Sequence, residues 1–367
     1  MKSFHIWDFP DDIYILIKPK AKEKLFAHLY LKFGNRERLA KFLHLDPTTI
    51  KEYQLGFSDK DDKKWIQYIP VKFFKIMKTY FTKCLVKEIE NSVLAYRPRA
   101  GTPIENPILP IKESPELYRI VGHILGDGSA TKRKVPYYAN SCKDLREEFI
   151  TDLQIFGKVK ISNRKLTVPV INFPTAITKT LSHCLDVPFA IKERLPKNIF
   201  SAPKKCKSAL LRALFDDEGS SSAQVTIAMI NKKLIEDIKV LLLEFGILSS
   251  SICVTKNNSC SSYYHLSVLA KSNEDFLNKI GFSHPKKLSI LIAQVKKRYR
   301  KHRTREISEI ENLILDYLRR VKHARTIEIA NNIHLGLCHT LLHLKRIERE
   351  NKIKKSIEEN KFYRWHI

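Results

Sequence analysis

Two short apolar stretches, each ending in an acidic residue followed by glycine, set the strongest constraint on how this chain can fold. The first covers residues 117–128 (LYRIVGHILGDG) and the second residues 210–219 (LLRALFDDEG). Their acidic residues, Asp127 and Glu218, lie roughly ninety positions apart, about the length of one small domain. Each stretch is followed by a helix-like run that ends in Phe-Gly and then by strand-like runs. This repetition predicts two similar halves with pseudo-two-fold symmetry.

A carboxylate at the C-terminal end of a helix is unfavourably placed, because the free carbonyl groups already concentrate partial negative charge there. The cost is a few tenths to about 1 kcal/mol, so its use at two helix ends indicates a compensating positive charge. A divalent metal ion is the natural candidate, since Mg²⁺ prefers carboxylate and phosphate oxygens together. Small residues on the same helices, Gly122, Gly126 and Ala213, would let two helix backbones approach closely. We therefore expect a helix pair that brings Asp127 and Glu218 side by side.

The two stretches resemble the two copies of the motif in the double-motif, single-chain form of the LAGLIDADG homing endonuclease family. Residues 120–128 (IVGHILGDG) align with one copy and residues 211–219 (LRALFDDEG) with the other. The chain departs from the commoner pattern at four positions: His123, Arg212, Asp217 and Glu218. Glutamate still supplies a carboxylate, and we expect His123 to be a core histidine rather than a ligand.

The resemblance, which covers about residues 99–300, implies an α+β fold. Two αββαββα halves would form a pseudo-two-fold domain whose four-stranded sheets make a saddle over duplex DNA. The strand-like runs that fit this plan are residues 135–139, 158–161 and 165–170 in the first half and 224–229, 252–256 and 264–268 in the second.

The same resemblance implies metal-dependent hydrolysis of one phosphodiester in each DNA strand. Asp127 and Glu218 would be catalytic and would bind Mg²⁺, for which Mn²⁺ can substitute, together with the neighbouring Gly126 and Asp217. Lys271, which follows the last strand-like run of the second half, is the candidate catalytic lysine.

Three domains are predicted, with a proline-rich lead-in beginning near residue 97. Residues 1–98 resemble a helix-turn-helix domain of the phage-repressor type, because Asp46 and Pro47 fit the N-cap and first position of a recognition helix. Residues 99–302 would form the LAGLIDADG endonuclease domain. Residues 303–367 resemble a winged-helix domain.

The formal net charge of +27, from 66 Lys and Arg against 39 Asp and Glu, favours a polyanionic partner, and nucleic acid is the commonest one. Candidate DNA contacts fall on the recognition helix, on the predicted sheets, on the basic helix after residue 286 and on the third winged-helix helix. They are Thr48, Thr49, Lys51, Lys132, Arg133, Lys134, Lys158, Lys160, Gln224, Thr226, Lys256, Lys297, Arg298, Arg300, Lys345 and Arg346.

The seven scattered cysteines contain no C-x-x-C pair, which fits a reducing compartment and predicts a cytoplasmic, nucleoid-associated protein. No apolar run is long enough to predict a membrane span. The two halves in one chain predict a monomer. The ends at Met1 and Ile367 lack the flanking nucleophiles of an intein, so we expect a free-standing protein.

Two other functions stay open. A LAGLIDADG domain joined to a helix-turn-helix is also the plan of a bacterial transcription regulator that binds DNA without cutting it. An intron maturase of the same family would bind structured RNA by its shape instead.

Overall fold

The structure is a computed structural model that describes residues 2–58, 64–65, 67–131, 134–164, 166–256, 262–299, 307–357 and 363–367. The chain divides into two compact units, Met1–Asp217 and Glu218–Ile367. Within the described ranges, no helix has both the length and the apolar character needed to cross a bilayer.

The described residues of the first unit form thirteen strands. They are β1 (Ser3–Phe4), β2 (Ile13–Ile17), β3 (Phe57–Ser58), β4 (Lys64–Trp65), β5 (Ile69–Pro70), β6 (Val93–Pro98), β7 (Ile104–Glu105), β8 (Ile111–Lys112), β9 (Gly128–Ser129), β10 (Tyr137–Ala139), β11 (Lys158–Val159), β12 (Ser162–Arg164) and β13 (Val170–Asn172). Its helices are α1 (Pro19–Phe33), α2 (Arg36–Leu43), α3 (Pro47–Leu55), α4 (Val71–Met77), α5 (Lys83–Asn91), α6 (Pro115–Leu125), α7 (Lys143–Asp152), α8 (Thr175–Leu185), α9 (Lys197–Phe200) and α10 (Lys204–Glu218), whose last residue opens the second unit.

The described residues of the second unit form seven strands and six further helices. The strands are β14 (Gly219–Ser220), β15 (Thr226–Met229), β16 (Cys253–Lys256), β17 (Ser262–Ser267), β18 (His323–Arg325), β19 (Lys354–Ile357) and β20 (Tyr363–His366). The helices are α11 (Lys232–Glu244), α12 (Asn273–Lys279), α13 (Pro285–Tyr299), α14 (Ile307–Val321), α15 (Thr326–Ile333) and α16 (Leu337–Arg349).

Two four-stranded antiparallel sheets repeat one strand order. The first sheet runs β9-β10-β13-β12 and the second runs β14-β15-β17-β16. Counted from the motif helix, both sheets therefore have the order 1-2-4-3. In each half the first strand follows a motif helix, α6 or α10, and a second helix, α7 or α11, separates the second strand from the third. The predicted internal repeat is confirmed.

The two motif helices, α6 and α10, approach each other through small residues. A Cβ atom on Gly122 would lie 2.6 Å from the Cβ of Ala213 and 2.8 Å from the backbone oxygen of Leu210. A Cβ atom on Gly126 would lie 2.7 Å from Oδ2 of Asp217. A real Cβ atom essentially never lies that close to another heavy atom, so glycine is required at both positions. The close approach predicted from the small residues is confirmed.

A five-stranded sheet, ordered β11-β7-β6-β2-β5, forms the base of the N-terminal part. It takes strands from both sides of residue 98, where we predicted a domain boundary. The helices α2 and α3 are joined by His44, Leu45 and Asp46, and the Asp46 carboxylate accepts the Thr48 N–H at 2.7 Å. The local helix pair matches the sequence pattern. Its assignment as a DNA-binding helix-turn-helix stays a prediction.

One strand that we predicted for the first of these four-stranded sheets belongs to a different sheet. Lys158–Val159 pairs with Ile104–Glu105 in the five-stranded sheet, and Ser162–Arg164 takes its place beside β13. The cause is a turn at Gly157, which has a φ of 121° and touches the backbone of residues 105–107. This turn directs the chain toward the proline-rich lead-in, whose strand β7 offers a free edge. Lys158 therefore does not belong to the sheet face on which we placed it.

The C-terminal part packs three helices, α14, α15 and α16, with a small antiparallel sheet ordered β18-β20-β19. Its core includes Ile314, Leu318, Leu344 and Trp365. The indole Nε1–H of Trp365 donates to Oγ1 of Thr326 at 2.8 Å. The assignment of this part as a winged helix stays a prediction.

We predict that Gly122→Ala destabilises the protein by about 1–3 kcal/mol, because the added Cβ overpacks the helix contact. Alanine is intrinsically the better helix former by about 1 kcal/mol, so a loss identifies the clash. Urea unfolding of the single variants and of the double variant with Ala213→Gly forms a cycle. The cost of Gly122→Ala should be smaller when residue 213 is glycine. An equal cost in both backgrounds would contradict the contact.

Candidate functional site

Asp127 lies directly after the C-cap of α6 and directly before β9. The N–H of the C-cap residue, Gly126, donates to the backbone oxygen of Gly122 at 2.8 Å, which closes the helix. The Asp127 side chain is half-buried, and its Oδ2 accepts a hydrogen bond from Nδ2 of Asn140 at 2.9 Å. Asn140 follows β10, the strand paired with β9. The neighbouring strand therefore fixes the orientation of the carboxylate.

Lys192 places a positive charge at the end of α6. Its ammonium group donates to the backbone oxygens of Gly126 at 2.9 Å and Gly128 at 2.7 Å, on either side of Asp127. Its φ of 50° lies in the left-handed region, which is uncommon for a residue other than glycine. The ammonium group of Lys192 thus compensates the negative charge at the helix end. We had expected a metal ion to supply that positive charge. Sequence reasoning missed Lys192 because it lies 66 residues after Gly126 and no local pattern marks it.

Asp217, on α10, has a fully buried carboxylate that is surrounded by donors of the first half. Its Oδ1 accepts from the hydroxyl of Tyr138 at 2.8 Å and from Nδ2 of Asn140 at 3.1 Å. Its Oδ2 lies 3.0 Å from Nδ1 of His123 and 3.5 Å from the backbone nitrogen of Asp127. A cation could reach this carboxylate only by displacing those donors. The side chain of Asp217 therefore does not fit the metal-ligand role that we predicted for it.

His123 is fully buried, as expected for a core histidine. Burial lowers its pKa, but the charge of Asp217 and the hydrogen bond to it act in the opposite direction, and the net pKa is raised. The Asp217 carboxylate therefore favours the protonated form of the His123 ring. Burial and the nearby Asp217 also raise the pKa of Tyr138, so its phenol keeps the proton that it donates.

Two candidate catalytic residues, Glu218 and Lys271, belong to the second half. Glu218 is the last residue of α10 and is half-buried, whereas Lys271 lies exposed in the short 3-10 turn Ala270–Ser272. Their catalytic roles stay predictions. Among the described residues, no three or more His, Cys, Asp or Glu side chains form a group that could hold a metal ion.

The predicted DNA-contacting residues fall into groups by exposure. The exposed ones are Thr48, Lys51, Lys134, Lys158, Lys160, Lys345 and Arg346. Thr49, Gln224 and Thr226 are half-buried. For Lys256, Lys297 and Arg298 the structure gives the backbone only, in β16 and α13. Lys132, Arg133 and Arg300 lie outside the described residues.

One face of the second four-stranded sheet is polar. Thr226 lies opposite Ser220 on one neighbouring strand and opposite Ser267 on the other, so the three side chains share a face. The adjacent residues Ile227 and Leu266 point to the other face and are fully buried. The sheet therefore has one side in the core and one side with hydrogen-bonding groups, as a sheet that reads a polar partner requires.

Part of the chain is similar to the LAGLIDADG family. Residues 205–281 match the family model described as a LAGLIDADG-like domain. This match covers α10 and the sheet that follows it, which is the second half. The first half repeats the same strand order after its own motif helix.

Three curated proteins that are similar to this chain are named for activities unrelated to one another. The replication factor C small subunit of Methanocaldococcus jannaschii is 30% identical over 268 residues, which are 68% of this chain and 14% of that protein. The glutamine–fructose-6-phosphate aminotransferase of the same organism is 28% identical over 52% of this chain and 18% of that protein. A probable translation initiation factor IF-2 of Thermococcus kodakarensis is 29% identical over 59% of this chain and 19% of that protein. The chain thus spans less than a fifth of the length of these relatives.

Solved structures show weak similarity. The homing endonuclease I-DmoI in complex with DNA and Mn is 16% identical, with a TM-score of 0.34 over 46% of this chain and 97% of that chain. Full-length DUF199/WhiA from Thermatoga maritima is 14% identical, with a TM-score of 0.37 over 65% of this chain and 92% of that chain.

We predict that stability falls as pH rises because of His123. Its pKa is raised by folding, so its contribution is complete below the usual pKa of 6.5 and is lost as pH rises through the folded pKa. The loss is at most about 1.4 kcal/mol per pH unit in that window. Urea unfolding across this range should show a flatter profile for the double variant His123→Leu with Asp217→Ala, which removes both charges. Parallel profiles for the two proteins would contradict the ion pair.

Proposed function

We propose that the protein is a site-specific DNA endonuclease of the homing type, which hydrolyses one phosphodiester in each strand of duplex DNA. The observation that carries the proposal is the repeated half, each with an acid directly after or at the end of its motif helix. In the first half this acid, Asp127, is held by Asn140, and the ammonium group of Lys192 binds the backbone oxygens of the residues on either side of it. A carboxylate next to a fixed positive charge is an arrangement suited to phosphoryl chemistry.

In this proposal Asp127 and Glu218 each bind a divalent ion, with Mg²⁺ as the ordinary one. When bound, the ion supplies a Lewis acid that polarises the phosphate and favours ionisation of a water molecule. Asn140 keeps the Asp127 carboxylate in one orientation. Lys192 is our candidate for stabilising negative charge near Asp127, because its ammonium group is already fixed at the two flanking carbonyls.

Duplex binding is supported by charge and by the polar sheet face. The net charge of +27 gives strong long-range attraction to DNA. The polar face with Ser220, Thr226 and Ser267 offers donors and acceptors to base edges. The pair α2 and α3 would act as a helix-turn-helix, and the part from α14 to β20 as a winged helix. Both would lengthen the recognised site.

The homing type is supported by the distribution of similar segments. They make up a small part of proteins named for unrelated activities. A segment shared in this way is more readily explained as a self-contained domain than as part of each named activity. A protein that binds DNA without cutting it would use the same surfaces, so metal-dependent scission separates the two functions.

The direct test is cleavage of a randomised duplex library with Mg²⁺, followed by sequencing of the released ends. We expect discrete ends with the natural protein, and loss of double-strand scission with Asp127→Asn and with Glu218→Gln. The exposed acids Asp144 and Glu147 on α7 give matched controls, Asp144→Asn and Glu147→Gln, which should cut normally. If neither Mg²⁺ nor Mn²⁺ yields ends but a specific sequence is retained, the protein is a DNA binder that does not cut. If only structured RNA is retained, an RNA function replaces both.

A second prediction concerns the two lysines. We expect Lys192→Met to slow scission by about 10²–10³-fold, the usual cost of removing one fixed group that stabilises developing charge. Lys271→Met, an identical change at an exposed lysine, should have a smaller effect. Single-turnover rates on the recovered target measure both. Equal losses, or a larger loss for Lys271→Met, would reverse the assignment.

A further inference from the structure

The register of the two sheets defines which residues of the two halves are equivalent. Gly128, directly after Asp127, lies opposite Tyr138. Gly219, directly after Glu218, lies opposite Ile227. Tyr138 and Ile227 therefore occupy the same position. Two residues further along the same strands, Asn140 is equivalent to Met229.

The alignment of the two motifs extends this comparison to the helices. His123 of the first copy is equivalent to Leu214 of the second, and Gly126 is equivalent to Asp217. The first half thus has His, Tyr and Asn where the second has Leu, Ile and Met. The partner of all three polar side chains is Asp217, which belongs to the second motif helix. The two halves thus have the same strand order, but their residues differ at these four equivalent positions.

These four residues form a connected path to the acid of the first half. His123 and Tyr138 fix the carboxylate of Asp217 from two sides. The amide nitrogen of Asn140 then donates to both carboxylates, Oδ1 of Asp217 at 3.1 Å and Oδ2 of Asp127 at 2.9 Å. Rotating this amide by half a turn would bring its oxygen against two carboxylates, so Asp217 is one of the groups that determine which way it points.

The Asn140 amide is also held from its other side. Its Oδ1 accepts the N–H of Cys142 at 2.8 Å, and its backbone oxygen accepts from Nη1 of Arg146 at 2.6 Å. The side chain has no alternative orientation that keeps these bonds. The glycine at position 126 supplies the room for Asp217, since a Cβ there would lie 2.7 Å from its Oδ2.

A buried charge at a helix contact needs a reason, because a well-packed apolar residue is often at least as stable there. Leu214, Ile227 and Met229 show that this fold accepts apolar residues at the positions equivalent to the three donors. The first half instead has three polar side chains that hold the buried carboxylate of Asp217, and one of them, Asn140, also binds Asp127. Positioning of that acid explains both the charge and its restriction to one half.

We propose that Asp217, through Asn140, is a positioning residue for Asp127, so that a residue of the second motif helix controls the strand cut by the first half. The inference rests on the endonuclease function proposed above. The equivalent of Asn140 in the second half is Met229, which has no hydrogen-bond donor in its side chain. The cut that depends on Glu218 therefore does not depend on Asp217, and the two strands respond differently to its loss.

The test measures each strand separately on a duplex that carries a different end label on each strand. With Asp217→Asn, which keeps the side-chain size, we expect the strand whose cut is lost in Asp127→Asn to be cut about 10–100-fold more slowly, since small misplacements have such effects. The other strand should change by less than about threefold, so nicked duplex accumulates. DNA affinity should be unchanged.

The matched control is a buried carboxylate without contact to Asp127. Asp152 is almost fully buried and pairs with Nε of Arg119 at 2.6 Å, so Asp152→Asn should affect both strands alike. If that variant does not fold, Glu148→Gln, which removes a partly exposed partner of the same arginine, replaces it. Equal slowing of both strands by Asp217→Asn would show a merely structural role and overturn the proposal, and so would no effect on either strand.

A crystal structure of Asp217→Asn makes the inference testable even if the natural protein does not cut DNA. We expect the Asn140 amide to rotate and the Asp127 carboxylate to leave its position in the natural protein. An unchanged Asp127 would overturn the positioning role. A protein with a displaced Asp127 but without any scission under Mg²⁺ or Mn²⁺ would instead contradict the endonuclease function alone.

Discussion

The close contact between α6 and α10 is the feature on which the rest of the structure depends. Glycine at 122 and alanine at 213 let the two backbones meet at a distance that no larger side chain permits. This contact forms one core from residues almost a hundred positions apart. It also brings the carboxylate of Asp217 to the N–H of Asp127 and to the donors on β10. The two repeated motifs therefore pack their helices against each other, and the positions of Asp217 and Asp127 depend on that packing.

Charges around Asp127 are arranged by the fold rather than by local sequence. Lys192 comes from the segment after α8, Asn140 from the end of β10, and Asp217 from the other motif helix. Each of these three residues lies at a different sequence distance from Asp127. Together they give the first half a positive charge at its helix end and a fixed carboxylate orientation, while the equivalent positions Leu214, Ile227 and Met229 in the second half are apolar.

Much of this could be predicted from the sequence, because the signals were strong and repeated. The two acid-glycine endings, the small residues on the helices and the Asp46-Pro47 helix start are all local patterns, and the structure has the predicted elements there. The strand at residue 158 could not be assigned, because its partner is set by a turn at Gly157 and by a distant edge strand. The contacts of Lys192 and Asp217 were missed because burial and long-range hydrogen bonds produce no periodic pattern in the amino-acid sequence.

Anomalous diffraction most directly tests the proposal that Asp127 and Glu218 each bind a divalent ion beside duplex DNA. The crystal would contain the protein, Mn²⁺ and the duplex recovered from the library. We expect manganese peaks at Asp127 and at Glu218, both next to backbone phosphates. Manganese elsewhere on the protein, or DNA bound on a surface away from both acids, would contradict it.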